Sequence, residues 1–90
     1  MYKVKTTNGF DKDILRCKKR GLNLDFLKEV VSILTKDGKL PAKYKAHKLT
    51  GNLSGCWECH IKPDWLLIWK QNNKEFTLLL LNTGTHSDLF

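Results

Sequence analysis

Apolar and polar residues alternate at the start of the chain, in Tyr2-Lys3-Val4-Lys5-Thr6, and these β-favouring types predict a first strand. Asn8-Gly9 reads as its end. From Phe10 to about Arg20 the spacing changes to three and four residues: Phe10, Ile14 and Cys17, with Leu15 beside them. That pattern predicts a short amphipathic helix carrying Lys12, Arg16, Lys19 and Arg20 on its polar face, stopped by Gly21. A second helix follows from about Leu24 to Thr35, with Asn23 as N-cap and Leu24, Leu27, Val30, Val31 and Leu34 as its stripe. Asp37-Gly38 closes it. Lys39 to Ser54 shows little period, contains Pro41 and Gly51 and, with Lys36, counts five lysines before Thr50. It reads as a long surface loop, and a loop of that length in a compact domain is usually functional. Beyond Gly55 three strands are predicted, at about Cys56–Ile61, Trp65–Lys70 and Glu75–Leu81. Lys62-Pro63-Asp64 and Gln71-Asn72-Asn73-Lys74, both rich in turn residues, separate them.

The order β-α-α-β-β-β predicts an α+β fold, two helices packed on one face of an antiparallel sheet, as a single domain over residues 1–90. The last two strands are apolar on both faces, which places them centrally. The meander also makes a geometric prediction. If the second turn pairs Lys70 with Glu75, Asp64 falls opposite Leu81, and His60, Asp64 and Asn82 to His86 gather at one end of the sheet. A pair of histidines with a carboxylate between them suits cleavage of a phosphodiester by its own ribose 2′-hydroxyl. One group takes the hydroxyl proton, another protonates the departing 5′-oxygen, and cations stabilise the charged phosphorane. Imidazole titrates near neutrality and can do either proton transfer. The competing reading is of histidines exposed on loops without a task.

Charge sharpens this picture. Sixteen Lys and Arg, fourteen of them Lys, against nine Asp and Glu give a net +7 on 90 residues. Such a surplus attracts polyanions: RNA, DNA, an anionic membrane or an acidic protein. The apolar stretches Trp65–Trp69 and Leu78–Leu81 are too short to span a bilayer, and no export signal is visible, so no membrane role and a cytoplasmic location are expected. Cys17, Cys56 and Cys59 leave an odd thiol under any pairing, in keeping with a reducing compartment. Cys56-Trp57-Glu58-Cys59-His60 spells the C-x-x-C-H haem-attachment pattern. In an extended strand, however, Cys56 and Cys59 point to opposite faces, which argues against haem and equally against a Cys-Cys-His zinc site. No metal or other cofactor is therefore expected. Trp57 and Trp69 read as core residues, while Trp65, next to the proposed site, could stack on a base.

Three segments carry a resemblance. They are Lys43-Tyr44-Lys45-Ala46-His47-Lys48-Leu49-Thr50-Gly51, then Glu58-Cys59-His60-Ile61-Lys62-Pro63-Asp64-Trp65-Leu66-Leu67-Ile68, and finally Thr83-Gly84-Thr85-His86-Ser87-Asp88-Leu89-Phe90. In order and spacing they resemble the YafQ branch of the RelE/ParE toxin superfamily, and the N-terminal helical half agrees in pattern. The resemblance implies a RelE-like fold and a type II toxin that enters the ribosomal A site and cuts the bound message. It further implies cleavage without a metal, leaving a 2′,3′-cyclic phosphate and a 5′-hydroxyl. His47, His60, Asp64 and His86 match the family's catalytic positions, with Trp65 and Phe90 beside them. His86 is the first candidate for proton transfer and Asp64 its complement, with His47 and His60 stabilising phosphate charge or shuttling protons. The implied partners are a cognate antitoxin, ribosomal RNA and mRNA, with the lysine-rich loop, Lys45 and Lys48 included, and the first helix gripping RNA phosphates.

One position departs from the family: Asn82 stands where Arg usually precedes Thr-Gly-x-His. An arginine clamps a phosphate through a bidentate, charge-assisted pair, and Asn has no charge to offer. A lysine such as Lys48 or Lys62 then substitutes, or the enzyme is slow. The alternative is a catalytically weak relative that binds RNA or its antitoxin and acts in autoregulation. The gyrase-poisoning branch of the superfamily lacks a histidine site and fits less well.

Overall fold

The computed structural model describes residues 1–90. The chain runs β1 (Lys3–Thr6), α1 (Asn8–Lys19), α2 (Leu24–Asp37), β2 (His47–Lys48), β3 (Trp57–Lys62), β4 (Trp65–Asn72), β5 (Thr77–Gly84) and α3 (His86–Leu89). Single 3-10 turns at Ala42–Tyr44 and Gly51–Leu53 flank β2, so the expected long loop is partly structured. The five strands lie in the order β1-β5-β4-β3-β2. No helix is long and apolar enough to cross a membrane.

Local chemistry explains the helix ends. Thr7, not Phe10, opens α1: its hydroxyl accepts from the Phe10 N–H and donates to the Leu81 carbonyl, so Asn8-Gly9 forms the first turn instead of breaking the chain. Asn23 caps α2 by accepting from the Asp25 N–H. The helix ends at Gly38, φ 70°, where a Cβ would lie 2.6 Å from the Tyr2 hydroxyl oxygen. Left-handed backbone and a close approach both demand glycine there.

The helices cover one face of the sheet. Phe10 and Cys17 of α1 and Leu27, Val30 and Leu34 of α2 join Cys59, Ile61, Leu67, Trp69, Leu78 and Leu80 in a cluster of 13 buried residues. Trp57 and Trp69, neighbours across β3 and β4, stack with centroids 6.1 Å apart. Fully burying one Leu or Phe side chain is worth about 1.5–3 kcal/mol, against about 0–1 kcal/mol for an exposed ion pair. The cluster therefore carries the fold. The two-residue period of β3 then fixes the site: Trp57, Cys59 and Ile61 face the helices, so Glu58 and His60 face the other way, while a register shift after His60 lets Lys62 reach Phe26 of α2.

The α+β class stands, with the sheet corrected from antiparallel to mixed. β2 to β5 are antiparallel, but β1 pairs with β5 in parallel, from Lys3 opposite Thr77 to Thr6 opposite Leu80. β3, β4 and β5 are joined by tight turns and must alternate in direction. β1 is connected through two helices and is free of that constraint. The β4–β5 register also differs from the expected one. Asn72 Oδ1 accepts from the N–H groups of Lys74 and Glu75, which draws Glu75 and Phe76 into the turn, and Lys70 pairs with Leu79. A bulge follows: Ile68 faces Asn82 while Trp69 faces Leu80, leaving Leu81 as the extra residue. Leu66 consequently meets Gly84, and two residues further on Asp64 meets His86 rather than Leu81.

Candidate active site

Asp64, in the β3–β4 turn, and His86, the first residue of α3, are locked together. One carboxylate oxygen of Asp64 accepts from His86 Nδ1 at 2.6 Å and from the His86 backbone N–H at 2.9 Å. The backbone N–H first, and the imidazole second, hold the Asp64 carboxyl below its ordinary value. Both side chains remain open to solvent, with 55% of His86 and 65% of Asp64 accessible. A bonded pair this exposed is available to a substrate.

The other histidines line up beside it. His60 projects from β3, its ring centroid 5.8 Å from that of His86, and its Nδ1 donates to the Pro63 carbonyl at 3.3 Å. His47, on β2, lies 6.5 Å beyond, its Nδ1 donating to the Lys45 carbonyl at 2.9 Å. Carbonyl oxygens only accept, so in His47 and His60 the proton sits on Nδ1, and the Asp64 carboxylate selects the same tautomer in His86. Nε2 of His60 and His86 is thereby left for a substrate. That of His47 lies 3.4 Å from the buried Glu58 carboxylate, its neighbour across β2 and β3.

A second set of charges braces α3. Thr85 and Asp88 form a capping box around its first turn, and Asp88 also takes two N–H bonds from Arg20, the C-cap of α1, at 2.5 and 3.0 Å. The Arg20 guanidinium holds the Asp88 carboxyl well below the usual carboxylate range. Gly84 admits this packing because a Cβ there would come within 2.8 Å of an Asp88 carboxylate oxygen. Deeper, Asp13 of α1 is buried and accepts from Arg16, from the Asn82 amide and from the Thr83 N–H.

The structure thus gathers His47, His60, Asp64 and His86. Phe90 is exposed at the end of α3, its N–H bonded to the His86 carbonyl. Lys45 is exposed beside His47. Three expectations need correction. Trp65 is buried in the core and its indole N–H donates to the Thr83 hydroxyl, so it supports the strand ends and cannot stack on a base. Lys48 pairs with Trp57 and lies over that ring at 5.6 Å, on the face opposite His47. Asn82, expected among the substrate-binding positions, instead gives an amide N–H to the buried Asp13 of α1. Glu58, Asp13 and the Arg20–Asp88 brace were not foreseen. Only Glu58 had a visible signal, since it alternates in phase with His60.

The cysteines take no part in this cluster. Cys59 faces the core, opposite to His60, and burial pushes its thiol up to about 12. Burial also raises Cys17. No three His, Cys, Asp or Glu side chains are grouped so as to hold a metal ion.

Residues 2–90 match the family described as bacterial toxin of type II toxin-antitoxin system, YafQ. The chain is 35% identical over 88 residues to the mRNA interferase toxin YafQ of Escherichia coli K12, covering 97% of this chain and 94% of that one. It superposes with a TM-score of 0.90 on a chain of the E. coli DinJ–YafQ complex, at 33% identity, covering 100% and 99% of the two chains. A metal-bound toxin from Helicobacter pylori gives the same TM-score at 42% identity, with both chains covered completely.

Proposed function

The chain belongs to the YafQ family of bacterial toxins of type II toxin–antitoxin systems, and from that premise we propose that it cuts mRNA on the ribosome by histidine acid–base chemistry. The observation that carries this reading is the 2.6 Å bond from His86 Nδ1 to Asp64, with the His60 ring 5.8 Å from His86. Asp64 holds the His86 imidazole in one tautomer and stabilises the imidazolium that forms when Nε2 takes a proton. Two imidazoles this close reach one phosphate group, one towards the attacking 2′-oxygen and one towards the departing 5′-oxygen. The bond from the 2′-oxygen to phosphorus forms, the bond to the 5′-oxygen breaks, and the proton removed at one end is supplied at the other. The products are a 2′,3′-cyclic phosphate and a 5′-hydroxyl. The substrate's own 2′-hydroxyl is the nucleophile, so no step is routed through a metal. Lys45 contributes positive charge beside the phosphate, and Phe90 offers a ring to a base.

The E. coli YafQ relative is described in complex with DinJ. By extension a cognate antitoxin covers this toxin's basic surface, and the toxin acts in the cytoplasm, where message and ribosomes are found. Induced expression with primer-extension mapping tests the reading. Cuts are expected only in translated message and are expected to vanish in His86→Ala. Unchanged cuts in that variant would refute the assignment.

A further inference from the structure

A cleft of about 280 Å³ opens next to the imidazole row, lined by Lys43, Lys45, His60, Ile61, Lys62 and Pro63. A second, of about 180 Å³, continues from it past Lys43, Ile61 and Lys62 to Phe26, Tyr44 and Glu29. We propose that the first cleft holds the RNA phosphate adjoining the scissile one, and that the second receives the base attached to it. This rests on the catalytic reading above and adds a subsite to it.

Three observations carry the proposal. The first cleft has three lysines and no carboxylate, and none of the three is in a salt bridge. Like charges crowded without a counter-charge repel one another, and an anion removes that cost. Instead, the Lys62 ammonium lies 3.7 Å over the Phe26 ring and Lys43 lies 5.0 Å over Tyr44, positions an arriving phosphate can draw them from. The polarity of the two clefts then sets the order. Glu29 in the second repels a phosphate, while the half-open Phe26 ring suits the flat face of a base. Finally, the cleft is built onto the catalytic groups. His60 lines it directly, and Lys45, held in the left-handed region at φ 52°, supplies the carbonyl that orients His47. Strained non-glycine backbone of this kind persists where its surroundings enforce it. A strand whose scissile phosphate lies on His60 and His86 therefore finds its next phosphate met by lysines.

Titration of the 15N-labelled full chain with 2′-O-methyl oligonucleotides, which cannot be cut, tests this. A dinucleotide carries only the scissile phosphate; two trinucleotides add one phosphate, on the 5′ or the 3′ side. One trinucleotide, and not the dinucleotide, is expected to shift the amide signals of Phe26, Lys45 and Ile61. It is expected to bind at least about threefold more tightly, with the gain shrinking as salt rises. Lys43→Gln should abolish most of that gain. The proposal is overturned if neither trinucleotide moves those amides beyond the dinucleotide, or if only an RNA hairpin does, which assigns the lysines to structured ribosomal RNA. Separately, a dinucleotide that leaves the His60 and His86 signals unmoved counts against the catalytic reading and not against the cleft.

Discussion

At the scale of single residues, Asp64 and Asn82 hold most of the consequences. Asp64 is bound as a carboxylate, and its folded value lies below that of the unfolded chain, ordinarily about 3.9. Its stabilising link to His86 is therefore complete above that pH and is lost only as pH falls through the lower, folded value. Carboxyl carbon NMR should show Asp64 titrating below about 3.9. A midpoint at or above the ordinary value contradicts the link. Asn82 lacks the charge of the arginine that the family resemblance implies at this position, and it donates an amide N–H to Asp13. Losing one preorganised donor commonly costs about 10²–10³ in rate. Asn82→Arg is thus expected to speed cleavage by about 10²-fold, the lower end of that range, in a single-turnover assay. An unchanged rate means that the lysines beside His60 already meet the need.

At the scale of elements, α3 is the revealing case. Four residues do not make a stable helix alone, because the first turn costs more than it returns. It stands on the Thr85–Asp88 capping box and the Arg20–Asp88 pair, and it carries His86. Asp88→Asn should leave the melting temperature nearly unchanged, raise hydrogen exchange at the α3 amides and lower the cleavage rate. Unaltered exchange at α3 would show that the brace does not position His86. This element also shows where the sequence was silent. The strands and both long helices were legible because the core needs a period of two or of 3.6, and Asn23 and Gly38 mark α2's ends with their own chemistry. The gathering of His60, Asp64 and His86 was legible too, since any tight meander brings them to one end. The true register was not. It depends on Asn72 capping a wider turn and on a bulge that adds Leu81, and neither alters the hydrophobic pattern. The parallel pairing of β1 and the ion pairs across 68 residues between Arg20 and Asp88 depend on packing no local pattern encodes.

At the scale of the whole molecule, sheet and helices divide the work. One face of the sheet is sealed by α1 and α2. The opposite side and its β3–β4 end are left to His47, His60, Asp64 and His86, under a net charge of +7. The charge suits recruitment of polyanions at any sequence, and in the proposed reaction the imidazoles select a ribose 2′-hydroxyl as the nucleophile. That selection is the central claim. Its most direct test is single-turnover cleavage, by the purified toxin, of ribosome-bound message carrying one 2′-deoxy nucleotide at the mapped cut. The all-ribose message is expected to be cut to a 2′,3′-cyclic phosphate and a 5′-hydroxyl, and about 10²-fold or more slowly by His86→Ala. The 2′-deoxy message should stay intact. Cleavage of the 2′-deoxy message at an equal rate, or 5′-phosphate ends from either one, would contradict the account.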